Sequence, residues 1–206
     1  MVLSILLIAV LAYALGTLNC CSLIGRHVLK DDSGAATYAA IQRKFGYQGA
    51  FYVLVADLVK ALVAVLIGGM LLKAAGHPSV GKQTAMLFAL LGQAMPFPNL
   101  LRPREGLIFP ALLLLWVDWR LFAICLVVAF GLMLLTGDRA VGALGGAVAF
   151  PVFLLILGGW WLKILLAVLS AAALVYIYRD GLRRFFAGMG KRGNPGAGSR
   201  KDQQDK

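Results

Sequence analysis

The sequence predicts an all-α polytopic membrane helical bundle of about seven transmembrane segments, one of them short or re-entrant. Two observations carry this. Hydrophobic residues fill 61% of the 206 positions and charged residues only 14%, more apolar surface than one water-soluble core can hide. The apolar residues also fall into runs close to the ~20 residues that a helix needs to cross a bilayer, separated by short charged turns.

Taken in order, the first run extends from Val2 to about Ile24 and the second from Ala50 to Leu72. No basic n-region precedes the first, so it reads as a retained span and not as a cleaved signal peptide. Asn19 stands before Cys20, which argues against a lipoprotein signal. A loop with Gly76, His77, Pro78, Ser79 and Lys82 precedes the third span, Thr84 to about Leu101, which Pro96 and Pro98 must kink or end early. The fourth, Gly106 to Val117, is a dozen residues with Pro110 inside, a half-span or re-entrant piece packed against protein. Leu121 to Thr136, Ala140 to Leu157 and Trp160 to Tyr178 complete the series. The sixth carries Gly142, Gly145 and Gly146, a pattern suited to close helix contact. Trp116, Trp119, Trp160, Trp161, Tyr176 and Tyr178 fall near span ends, as an aromatic belt requires. Residues 1–190 thus form one membrane domain, and residues 191–206, rich in Gly, Lys and Asp, read as a disordered basic tail.

Charge sets the orientation. With seven crossings, fifteen Lys and Arg fall on the side of the C-terminus, and four, Lys73, Lys82, Arg120 and Lys163, on the other. The positive-inside bias then places the N-terminus outside and the C-terminus in the cytoplasm. The net charge of +11 is divided among short loops and the tail without aromatic interleaving, which points to anionic lipid or a phosphorylated substrate and not to nucleic acid. Cys20, Cys21 and Cys125 read as small buried hydrophobes; their spacing suits neither a disulfide framework nor a metal site.

Two features stand out against the apolar background. One is the polar segment from Gly25 to Gly46, which this topology puts on the cytoplasmic face with the Arg102 to Glu105 turn. Arg and Lys there can hold phosphate through charge-assisted hydrogen bonds, although positive-inside bias alone predicts the same residues. The other is Asp57 and Lys60 inside the second span, three apart on one helical face, a spacing at which they can satisfy each other. Charges inside a span are costly, so the pair serves either structure or substrate.

With these motifs on view, the chain resembles the bacterial acyl-phosphate-dependent glycerol-3-phosphate acyltransferases, the PlsY family, over roughly Ala12 to Gly188. The family's G-S-x-P then I-G pattern stands here as Gly16, Thr17, Leu18, Asn19, then Ile24 and Gly25. Its glycine- and asparagine-rich loop aligns its serine and next glycine with Ser33 and Gly34 and its arginine with Arg43, while Ala35 and Ala40 replace both asparagines. Its D-x-x-K-G is Asp57 and Lys60 followed by Ala61. Further on, Gln93 replaces the histidine of G-H-x-F-P. In the K-G-G-K-G turn Arg102 keeps the first positive charge, Glu105 reverses the second, and Arg104 stands beside it. Near the end Arg184 and Gly188 match, and the histidine and asparagine of that motif are lost. His27 and His77 fall on no family position.

The resemblance implies transfer of a fatty acyl group from acyl phosphate to glycerol 3-phosphate, giving lysophosphatidic acid for phospholipid synthesis in a bacterial inner membrane, with no cofactor and no metal. An acyl phosphate is already activated, so the protein has mainly to position two anions and neutralise them. By the same implication Arg43, Lys60 and Ser33 are the expected catalytic residues. Thr17, Gly34, Arg102 and Arg104 are expected to bind substrate phosphate, with Asp57 as ion-pair partner. The partners are glycerol 3-phosphate, fatty acyl phosphate and membrane lipids. The substituted motif positions leave a second reading open: a non-catalytic relative that binds lipid or a membrane partner.

Overall fold

The computed structural model describes residues 2–27, 38–96, 108–137, 139–157 and 160–192. Eight helices cover these residues: α1 (Val2–Thr17), α2 (Cys20–His27), α3 (Tyr38–Lys73), α4 (Pro78–Ala94), α5 (Ile108–Val117), α6 (Trp119–Thr136), α7 (Arg139–Ile156) and α8 (Trp161–Arg192). The seven expected apolar segments appear in order, the first of them as the pair α1 and α2, bent by 52°. By length and hydropathy three described helices can cross a bilayer alone, and four if the bent pair counts as one span. The protein is an integral membrane helical bundle.

The break between α1 and α2 follows from Thr17 to Asn19. The Thr17 hydroxyl donates back to the Ala14 carbonyl at 2.7 Å, a bond that bends helices. Asn19, a favoured residue for starting a helix, accepts the Leu23 N–H at 2.9 Å and opens α2. In α3 the interruption is Gly46, whose φ of 64° and ψ of −155° leave the helical region where only glycine is comfortable. Helical residues begin at Tyr38, twelve before the expected span, as a separate stretch that meets the longer one at this kink.

The centre of the bundle is α4. It contacts α1, α3, α5 and α8, and most of its residues are buried, from Val80 to Ala94. It starts at Pro78 and stops before Pro96, several residues earlier at each end than the expected third span. Pro78, Ser79 and Lys82 were expected in the loop before this span; the fold takes them into α4, buries Gln83 and Thr84 against neighbouring helices and bonds the Thr84 hydroxyl to the Val80 carbonyl.

Glycine permits the tight approach to α4. A Cβ on Gly81 would strike the Gly68 carbonyl of α3, and one on Gly16 of α1 would strike the backbone of Ala89. Gly92 faces the Tyr13 carbonyl in the same way. At the lower end the Tyr13 hydroxyl donates to Met95 O at 2.7 Å and satisfies a carbonyl left open where α4 ends.

The short fourth segment is α5, ten residues or about 15 Å of helix, half the thickness of a bilayer core. Asp118 then caps α6 by accepting the Arg120 N–H at 3.0 Å, and Gly137, at φ 70°, closes it. The sixth segment packs as its glycines suggested: Gly142 and Gly146 bring α7 against Ala129 and Cys125 of α6. The last helix outruns its expected end at Tyr178 and continues to Arg192.

Candidate functional site

The polar centre of the bundle forms where α3 crosses the break between α1 and α2. Lys60 and Asp57 sit on consecutive turns of α3, with side chains only 8% and 16% exposed and Nζ 3.4 Å from Oδ1. The Lys60 ammonium also donates to the Leu18 carbonyl at 3.1 Å and lies 3.7 Å from the centroid of the Phe109 ring on α5. Cys20, at the start of α2, lies beside the Asp57 carboxylate.

Helix polarity explains this arrangement. Leu18 ends α1, where unpaired carbonyls carry partial negative charge, and Cys20 begins α2, where unpaired N–H groups carry partial positive charge. The cation of the pair is directed to the first end and the anion to the second. A charge pair in a low-dielectric interior needs further hydrogen bonds to offset its desolvation, and the broken helix provides them. The spacing of Asp57 and Lys60 announced their pairing; their partners Leu18, Cys20 and Phe109 were missed. The readable signal was Thr17 with Asn19, a helix stop followed at once by a helix start.

The remaining expected site residues fall in several places. Arg43 is exposed in the stretch of α3 that precedes the Gly46 kink, and that stretch packs through Ile41 and Phe45 with Cys20 and Val53. Thr17 lies at the break itself, its hydroxyl turned to Ala14. Ser33, Gly34, Arg102 and Arg104 lie outside the described residues, as do Ala35, Glu105 and the tail beyond Arg192. Gln93, at the family's histidine position, is buried in the last turn of α4, and its Oε1 has no hydrogen-bond partner. His77 stacks on Trp160, ring centroids 5.2 Å apart, at the opposite end of α4.

A cavity of about 320 Å³ opens between α5, α6, α7 and α8. Its walls are apolar, formed by Pro110, Phe122, Cys125, Ala143 and Phe150 among others, with Gly142 and Gly146 leaving room on α7. Such a wall suits a hydrocarbon chain.

Comparison with known proteins follows the same outline. A family model described as glycerol-3-phosphate acyltransferase matches residues 6–188. Glycerol-3-phosphate acyltransferase 1 of Lactobacillus johnsonii is 26% identical over 192 residues, 89% of each chain. Glycerol-3-phosphate acyltransferase of Thermoanaerobacter pseudethanolicus is 25% identical over 187 residues, 88% of this chain and 92% of the relative. Among solved structures, PlsY, an integral membrane glycerol 3-phosphate acyltransferase, superposes in its lysophosphatidic acid form with a TM-score of 0.73 at 21% identity, covering 90% of this chain and 93% of that one. Its glycerol 3-phosphate form gives 0.71 at 20% identity with the same coverage. These structures share the fold.

Proposed function

The chain belongs to the glycerol-3-phosphate acyltransferase family, and from that premise we propose that it moves a fatty acyl group from acyl phosphate to glycerol 3-phosphate. The observation that carries the proposal is the extent of the family match, residues 6–188, which takes in every helix through most of α8. In the reaction the glycerol hydroxyl oxygen attacks the acyl carbonyl carbon and the bond from that carbon to the phosphate oxygen breaks. The hydroxyl proton departs with inorganic phosphate, and the product is lysophosphatidic acid.

We assign the phosphate contacts to Arg43, Ser33, Gly34, Arg102 and Arg104, with Thr17 at the helix break. Arginine supports this role through bidentate hydrogen bonding, and a small-residue loop through backbone N–H groups that can approach an anion. Lys60 acts on the same site from the α1–α2 break as a further cation for phosphate, with Asp57 as its ion-pair partner. The acyl chain occupies the apolar cavity between α5 and α8. We place the protein in the bacterial inner membrane with its N-terminus outside and C-terminus in the cytoplasm, on the fifteen-to-four distribution of Lys and Arg. Residues 1–190 form the catalytic membrane domain and the basic tail follows it.

The test is phosphate release by purified protein in lipid. Palmitoyl phosphate should yield phosphate only when glycerol 3-phosphate is present, and Arg43→Ala should abolish the release. The unpartnered Gln93 carbonyl, at a position where the family has histidine, favours one other reading, a lipid-binding relative without turnover. Folded protein that releases no phosphate above a boiled control would establish that reading in place of the enzyme.

A further inference from the structure

A second cavity, polar where the first is apolar, lies near the end of the bundle where α4 begins and does not depend on the acyltransferase reading. It opens over about 590 Å³ at the α5–α6 junction and is lined by Lys82, Trp116, Asp118, Trp119 and Arg120 with neighbouring apolar residues. Lys82 reaches it from α4, its stem lying against α3: a Cβ on Gly69 would meet Lys82 Cγ at 3.3 Å. The apolar stem is thus packed and the ammonium is delivered to the polar rim. The Arg120 guanidinium lies 5.8 Å from the Trp119 ring centroid. Among the described residues neither cation has a carboxylate within ion-pair distance.

The cavity holds one carboxylate, Asp118, and its Oδ1 already accepts the Arg120 backbone N–H at 3.0 Å as the cap of α6. The lining is therefore net positive. Trp116 contributes its ring to the wall. Two cations without a carboxylate partner lining one cavity match the oxygens of a phosphate group.

We propose that this cavity is a phosphate-binding site at the outer end of the bundle, occupied by the headgroup phosphate of an anionic phospholipid or by free phosphate. The two sources share one chemistry and separate in one experiment. The full-length protein in neutral detergent is titrated with dioleoylphosphatidylglycerol, with dioleoylglycerol, which lacks the phosphate, and with inorganic phosphate. Lipid occupancy is read by native mass spectrometry and the ion by phosphorus NMR. The site should bind the phosphate-bearing lipid saturably and dioleoylglycerol not at all. Lys82→Gln with Arg120→Gln should weaken binding about tenfold or more. Lys73→Gln, at the same end but outside the cavity, should leave it unchanged. A response to inorganic phosphate alone assigns the site to the free ion, and a response to lipid alone assigns it to the headgroup. Binding that survives the Lys82 and Arg120 changes in monodisperse protein, or that dioleoylglycerol matches, overturns the proposal.

Discussion

The Lys60 ammonium donates to the Leu18 carbonyl at 3.1 Å, across 42 positions of sequence. That bond ties the middle of α3 to the end of α1, and with Asp57 on the Cys20 side it fixes both halves of a broken helix to one continuous helix. A charge pair so placed is sensitive to the loss of one member and tolerant of the loss of both.

Lys60→Met should therefore destabilise the protein by about 3–5 kcal/mol, because it strands the largely buried Asp57 carboxylate. Adding Asp57→Asn should recover most of that loss. Thermal unfolding in detergent measures both, and phosphate release by the recovered double variant separates two roles for Lys60. Activity that returns with stability identifies a positioning residue, whereas activity that stays absent identifies a contact to substrate.

Substitution at the glycine contacts around α4 should follow the local space. Gly81→Ala and Gly16→Ala drive a methyl into the backbone of a facing helix, which should cost about 1–3 kcal/mol. Gly131→Ala on α6 meets nothing within 4 Å and should be neutral or slightly stabilising through helix propensity. Unfolding midpoints of the three variants check the order, and an equal loss at Gly131 would contradict the packing account.

Filling the apolar cavity should discriminate by chain length. Ala143→Phe, on its α7 wall, should raise KM for palmitoyl phosphate about tenfold and leave a short acyl phosphate such as octanoyl largely unaffected, since each methylene in such a pocket is worth about 1–3 kcal/mol. Steady-state kinetics across a series of donors would show this. A uniform loss at all lengths would place the chain elsewhere.

Gln93→Met replaces a buried amide that has an unmatched Oε1 with an apolar side chain of similar length. Relief of that desolvation should stabilise the protein by about 1 kcal/mol. If the amide serves the acceptor hydroxyl, kcat/KM for glycerol 3-phosphate should fall at the same time. Stability that rises with kcat/KM unchanged confines Gln93 to packing.

The order of helices was legible because hydropathy reports length and burial in lipid directly. Even the half-length α5 could be read from Pro110 and the nearby Asp118. The third span was misplaced because α4 is buried in protein and not in lipid, so polar Ser79, Lys82 and Gln83 could enter it. Period and spacing gave the pairing of Asp57 with Lys60. They could not give Leu18 or Phe109, whose nearness depends on how distant segments cross. Arg43 was legible as a surface cation and through the motif around it; the course of its stretch depended on the backbone angles of Gly46.

The surroundings of α4 bear on how the chain reaches its membrane. Pro78 to Ala94 is neither long nor greasy enough to qualify as a span, yet four other helices enclose it. Such a segment does not partition into lipid on its own account. It has to be delivered beside α3, to which a short turn joins it and against which Gly68 and Gly81 mesh, so that biogenesis admits the two as one hairpin before the later helices arrive.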